Sequence, residues 1–326
     1  MSNFYDFTVK RYGSNHVQLP NWLDSLIFDD YEAVYERHPE DVKRTPDNMD
    51  FDKIYLGTYF PRSFAEAYCI AGRLLDNQCY FDSLKNESEI NVFDFCCGTG
   101  GEIIGLISIL QERLPYLKRI NIDAFDANEI YIFTLNHIIE DIKNKFRVEL
   151  FFNAQCIFVE KEQHWDDIVN TTTKNYHIIL SFKALNEFIQ SNSFPGENIY
   201  YKVTEKFIPL LTNNGILILS DLTHKFNEGG FFYPEKMNVG LNEFIRKNDN
   251  YKSIMPYSCF FYERKCKGCY MQDIIYVSHT RQSNDVSKIA FRIIGKSVFA
   301  KQLVADIKPS LCRAQQPFAD KTAPYK

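Results

Sequence analysis

The residues best suited to chemistry are the glycines and acids around Val92-Phe93-Asp94-Phe95-Cys96-Cys97-Gly98-Thr99-Gly100. An apolar run enters this stretch. An amphipathic helix leaves it, with Ile103, Ile107, Leu110 and Leu114 at helical spacing. Strand, glycine turn and helix start together make a nucleotide cradle. Glycine lets the main chain approach a ligand, and the first helical turn offers unpaired N–H groups. Two such loops are excluded. A phosphate loop needs Lys followed by Ser or Thr, and neither pair sits in this stretch. A dinucleotide loop needs a third glycine where Ile103 stands. A second run, Ile120–Phe125, ends in Asp126. That places a carboxylate about 20–30 residues past the turn, where it can accept from both hydroxyls of a ribose.

The motif resembles the first motif of class I S-adenosylmethionine (SAM) methyltransferases, typically V-L-D-L-G-C-G-T-G. Eight of the nine positions are identical or conservative. The departure is Cys96, where the family has its first glycine. A side chain there narrows the approach to the methionine part of the ligand. The resemblance implies an α/β, Rossmann-like fold: a mostly parallel sheet closed by an antiparallel hairpin. It also implies SAM as methyl donor. On that basis Cys96, Gly98 and Gly100 frame the ligand and Asp94 orients the loop or meets the methionine amino group. Asp126 holds the ribose. Asn153, together with Gln155, offers an amide carbonyl to the adenine amino group. A helix ahead of the first strand closes over SAM in many of these enzymes. Tyr59 and Arg62 are the residues of that helix expected to touch the carboxylate or adenine.

The remaining elements must position these groups. Residues 1–50 form a helical or irregular cap, interrupted at His38-Pro39 and Thr45-Pro46. The segment from Tyr55 to Leu75 reads as a helix with Pro61 near its start. Tyr131, Leu135, Ile138 and Ile142 give another helix. Val148–Phe152 and the apolar run Tyr176–Phe182 are the third and fourth strands, and Ile216–Ser220 followed by Asp221 is the fifth. After the fourth strand comes Lys183-Ala184-Leu185-Asn186-Glu187. The absence of Asn- or Asp-Pro-Pro-Tyr there argues against a base-amine methyltransferase. Glu187, Asp221 and His224 are the candidates to accept a proton. Thr223–Gly240 reads as a specificity loop, and Asp273–Ser278 with Lys288–Ile294 as the closing hairpin. The expected division is a cap over 1–85, a SAM-binding domain over 86–308 with an insertion at 256–272, and a tail over 309–326.

Cys259, Cys266 and Cys269 form C-x6-C-x2-C within a basic stretch, with Cys312 or His279 as a distant fourth ligand. Thiolates two residues apart can chelate zinc or an iron–sulfur cluster, and packed thiols are the alternative. Tyr55-x-x-x-Tyr59-x-Pro61-Arg62-Ser63 and the cysteines resemble, more weakly, a methyltransferase-like family associated with ribosomes. That resemblance implies a second function: an RNA- or ribosome-binding protein without transfer activity. The net charge of −5 divides unevenly. From residue 245 onward 15 Lys and Arg face 6 Asp and Glu, an excess of +9, which leaves −5 − 9 = −14 for the rest. The basic part fits an anionic partner. No apolar run reaches the roughly 18–20 residues of a membrane helix. The N-terminus has no secretory pattern. An odd nine cysteines point to reduced thiols in a cytoplasm. The substrate is expected to be a small molecule or RNA.

Overall fold

The structure, a computed structural model, describes residues 9–38, 51–172, 174–223, 225–226, 231–262, 269, 271–309 and 312. In chain order the elements are β1 (His16–Gln18), α1 (Asn21–Ser25), α2 (Phe51–Leu75), α3 (Gln78–Leu84), β2 (Glu89–Phe95), α4 (Gly101–Arg113), β3 (Arg119–Asp126), α5 (Glu129–Ile142) and β4 (Glu149–Cys156). Then follow α6 (Glu162–Thr171), β5 (Tyr176–Phe182), α7 (Leu185–Gln190), α8 (Ile199–Phe207), β6 (Leu211–Leu222), β7 (Lys225–Phe226), β8 (Phe231–Phe232) and α9 (Tyr233–Lys247). The last are β9 (Tyr251–Met255), α10 (Tyr257–Tyr262), β10 (Asp273–His279), β11 (Gln282–Lys296) and α11 (Ser297–Leu303). Strands alternate with helices from β2 to β6, and the parallel pairs below make the architecture Rossmann-like α/β with antiparallel additions. Among the described residues no helix is long and apolar enough to cross a membrane.

The chain forms two compact units. The first comprises residues 1–89, 97–156 and 274–287. In it β3 and β4 run parallel in unbroken register from Arg119 opposite Glu149 to Asp126 opposite Cys156. Helix α2 lies along α4 at very short range. A Cβ on Gly101 would stand 2.3 Å from the Phe60 carbonyl oxygen, and one on Gly105 would stand 2.2 Å from that of Phe64. Two glycines one helical turn apart therefore set how closely these helices pack. Helix α5 starts at Asn128, whose Oδ1 accepts from the Ile130 and Tyr131 N–H groups at 3.0 and 3.4 Å. Strand β1 runs parallel to β10.

The second unit comprises residues 90–96, 157–273 and 288–326. Its β2, β5 and β6 are parallel neighbours, with Val92 opposite Ile178 and Ile178 opposite Ile216. Strand β11 returns antiparallel beside β6, and β9 adds antiparallel to β11. The near-continuous apolar runs of β5 and β6 suit strands covered on both faces. Phe95, Trp165, Phe188 and Phe207 pack ring to ring under α6, α7 and α8.

Several boundaries differ from the sequence expectation. Helix α2 begins at Phe51, so Pro61 lies inside it rather than at its start. The preceding chain supports that early start: the Val34 N–H donates to the Lys53 carbonyl, and the Glu36 N–H to the Thr58 hydroxyl. Gly57 lets Val34 pass against the helix, since a Cβ there would meet the Val34 carbonyl oxygen at 2.4 Å. Strand β4 runs to Cys156, so Asn153 is interior to it. Half of the expected loop at Thr223–Gly240 is helix α9, with Pro234 in its first turn, where the missing N–H costs nothing. Strands β1 and β9 and helices α6 and α8 had not been expected.

Candidate functional site

In the first unit the glycine turn is held from two sides. Gly98 and Gly100 have φ of +49° and +78°, in the left-handed region that glycine enters without penalty. The Gly100 N–H donates to the Cys97 carbonyl at 2.8 Å, and the Cys97 N–H to the Phe125 carbonyl at 3.0 Å, which fastens the turn to β3. Asp126 completes the arrangement. Its Oδ2 accepts from the Gly98 N–H and its Oδ1 from the Asn128 N–H, each at 2.8 Å. Burial raises the Asp126 pKa above the usual carboxylate value, and the backbone N–H groups of Asn128, Gly98 and Ala127 oppose that rise. Gly100 is required by packing, because a Cβ there would meet Leu135 Cδ1 at 2.3 Å.

Gly98 is required for another reason. A Cβ there would stand 2.9 Å from the Tyr55 hydroxyl. Tyr55 stacks on Tyr131, with centroids 4.2 Å apart and planes 17° apart, and lies 4.9 Å from Tyr59. Three tyrosines from α2 and α5 thus form a cluster in which Tyr55 reaches Gly98. Tyr59 joins this cluster. Arg62, on the same helix, does not: its Nε and Nη2 donate to Asp285 Oδ2 and Oδ1 at 2.8 and 2.9 Å. The Tyr35 hydroxyl donates to the same carboxylate. Asp285 is buried, yet His279, Arg62 and Tyr35 together hold its pKa down to about 2. Asn153 Nδ2 donates to Asp123 Oδ1 at 3.1 Å, three residues short of the strand end that is level with Asp126.

In the second unit the carboxyl ends of β2, β5 and β6 carry the other candidates. Two non-glycine residues with positive φ sit there: Cys96 at +63° beyond β2 and Lys183 at +55° beyond β5. Such backbone strain persists only where neighbours enforce it, and it gathers at functional sites. Asp94 is fully buried on β2, opposite Leu180. Asp221 is also buried and accepts from three donors. Its Oδ2 accepts from the Asn186 N–H at 2.9 Å and the Tyr200 hydroxyl at 2.7 Å, and its Oδ1 from the Leu222 N–H at 2.8 Å. Burial pushes its pKa up to about 7 against these bonds. Glu187, on α7, is exposed. His224 lies outside the described residues.

The cysteines do not assemble a metal site among the described residues, where no group of three or more His, Cys, Asp or Glu could hold an ion. Cys266 lies outside those residues. The buried Cys269 Sγ instead accepts from Arg292 Nη2 at 2.7 Å. Cys259 and Cys312 are half-buried, and no disulfide joins the described cysteines.

Tyr55, Tyr131 and Asn128 had not been singled out for this site. Tyr55 has a readable signal, standing one helical turn before Tyr59 and so on the same helix face. Tyr131 has none, because only folding brings α5 to α2.

No family model matches the chain, and no curated protein matches it. Solved structures similar to it include the plantazolicin methyltransferase BpumL in complex with SAH (16% identity, TM-score 0.42, covering 76% of this chain and 91% of that one). TrmN from Thermus thermophilus is similar at 10% identity and a TM-score of 0.39, over 72% of this chain and 53% of that one. Coclaurine N-methyltransferase bound to N-methylheliamine and SAH is similar at 14% identity and a TM-score of 0.31, over 65% and 52%.

Proposed function

We propose that the chain is a SAM-dependent methyltransferase of class I. The observation that carries this reading is the Asp126 bond to Gly98, which joins the acid at the end of β3 to the left-handed turn after β2. The residues fit the ligand. A carboxylate has about four acceptor positions; the Gly98 and Asn128 N–H groups bond to Asp126, and the Ala127 N–H also acts on it. Acceptor capacity remains for a hydroxyl of a ribose. Bound SAM would supply a methyl group on a positively charged sulfur, open to attack by a nucleophilic N, O or C.

The chain then has to position two reactants, which can account for much of such a rate enhancement. Gly98 and Gly100 shape the turn, and Asp94, buried on β2, is assigned to the loop or to the methionine amino group. Cys96 narrows it at its start. Asp221 holds Asn186 and Tyr200 in place through bonds to both oxygens, so it acts as a positioning residue. Glu187, which is exposed, is the better proton acceptor if the acceptor group must lose one. The acceptor is a small molecule or an RNA. The basic residues from 245 onward favour RNA, whose binding would weaken with rising salt as phosphate contacts release counterions.

Calorimetry tests the reading directly. SAM is expected to bind in the micromolar range, and Asp126→Asn to lose at least tenfold, in line with the about 1.5–3 kcal/mol of a hydrogen bond to a charged group. Wild-type protein that leaves millimolar SAM unbound would overturn it.

A further inference from the structure

We infer that the second unit carries an RNA-anchoring surface at the amino edge of its strands, formed by Arg246, Lys252, Lys296 and Lys301. The inference rests on the RNA form of the proposed function and extends it. Strand β11 runs antiparallel to β6, with Gly295 opposite Ile216, so Lys296 ends level with the start of β6. Strand β9 pairs there too, with Lys252 opposite Gly295 and Tyr251 opposite Lys296. The turn that leads from α9 into β9 is bonded to the same place. The Tyr251 N–H donates to the Asn248 carbonyl at 3.1 Å, and the Ser297 N–H to the Asn250 carbonyl at 2.7 Å. Arg246, in the last turn of α9, and Lys301, on α11, are therefore gathered around Lys252 and Lys296.

Arg246 and Lys301 are exposed. Arg246 Nε donates to the Asn242 carbonyl at 3.3 Å and Lys296 Nζ to Asn213 Oδ1 at 3.0 Å, and these neutral oxygens leave both charges undiminished. Lys252 Nζ lies 4.8 Å over the Phe260 ring. Asp249 is the acid of the turn. Lys247 is not part of the surface, because Glu243 holds it at 2.8 Å. Such a surface suits a phosphate chain better than an acidic protein. A protein interface is built on a buried apolar centre, and α11 offers Val298 alone, 72% exposed. A nucleic acid needs cations and polar groups, and it releases counterions when it meets them. From Ile216 to the carboxyl end of β6 at Leu222 is about 20 Å at the rise of a strand. Chemistry at the carboxyl ends would thus take place far from the anchor, so the partner has to be a chain rather than a single nucleotide.

The experiment follows the fluorescence anisotropy of a labelled single-stranded RNA of about 20 nucleotides on the full chain, between about 50 and 200 mM KCl. Four phosphate contacts give an expected slope of log K against log salt of about −3. The pair Arg246→Gln, Lys301→Gln is expected to weaken RNA about tenfold and to bring the slope to about −1.5, with SAM affinity unchanged by calorimetry. The pair Lys118→Gln, Lys161→Gln removes the same charge from exposed positions elsewhere and is expected to change neither. Circular dichroism and melting check that each variant folds; should the first pair not fold, Lys301→Gln alone is measured, with a smaller loss in the same direction expected. Equal weakening in both pairs, or in neither, overturns the anchor. Displacement of the RNA by poly-L-glutamate as readily as by unlabelled RNA also overturns it and marks an acidic protein as the partner. Wild type that binds SAM but no RNA sinks this inference alone. Wild type that binds RNA but no SAM leaves the anchor standing and removes the transfer reading.

Discussion

Asp126 and Asp221 are both acids at the ends of strands, yet their surroundings differ. Asp126 accepts only from backbone N–H groups, those of Gly98 and Asn128 at 2.8 Å, with that of Ala127 beside them. Asp221 is buried, with three donors on its two oxygens and a pKa of about 7. The sign of its effect on stability follows from that rise. A buried carboxyl whose folded pKa lies above the unfolded value near 3.8 favours folding more in its protonated form. Its contribution declines as pH rises from about 4 to 7, at a slope of at most about 1.4 kcal/mol per unit. Urea denaturation between pH 5 and 8 should therefore show a fall in wild-type stability that Asp221→Asn flattens. An equal slope in both proteins would mean that Asp221 is ionised throughout.

At the scale of elements, α2 organises the first unit through two contacts of different kinds. Its packing on α4 depends on Gly101 and Gly105. Alanine in a helix interior is normally favoured over glycine by about 1 kcal/mol. Here a methyl would fall 2.2–2.3 Å from a main-chain oxygen, so Gly101→Ala and Gly105→Ala should each destabilise by about 1–3 kcal/mol. Gly72, also in α2, has only Ile109 side-chain carbons, 3.7–3.8 Å away, around its Cβ position. Gly72→Ala should be neutral or stabilising, and chemical denaturation of the three variants separates the cases.

The second contact is the two-bond ion pair between Arg62 and Asp285 on β11. Arg62→Ala leaves a buried carboxylate without its guanidinium and should cost about 3–5 kcal/mol. The double variant Arg62→Ala, Asp285→Ala should be less damaged than the sum of the two singles. Because Asp285 has its pKa lowered to about 2, its stabilising contribution is complete above pH 4 and is lost as pH falls through 2. Acid unfolding should shift to higher pH in Arg62→Ala.

For the whole molecule, the sequence determined the main parallel strands β2 to β6 and the position of the glycine turn. Those signals are local: apolar period, glycine where φ is positive, and an acid at a fixed distance down the chain. The acid that meets the turn, Asp126, follows a local signal of that kind, and Tyr55 and Tyr59 share a helix face for the same reason. The sequence pointed Arg62 at the ligand and could not reveal its ion pair, because its partner Asp285 lies more than two hundred residues away and nothing local distinguishes a ligand-seeking arginine from a paired one. Pro61 was misplaced for a similar reason, since the earlier start of α2 comes with contacts from Val34 and Glu36. Only the tertiary structure decided that Tyr55 stacks on Tyr131 with its hydroxyl at Gly98, that Asp221 is enclosed and Glu187 exposed, and that Gly101 and Gly105 are a packing face. These are properties of surfaces brought together by folding, and one strand or helix does not encode what will press against it.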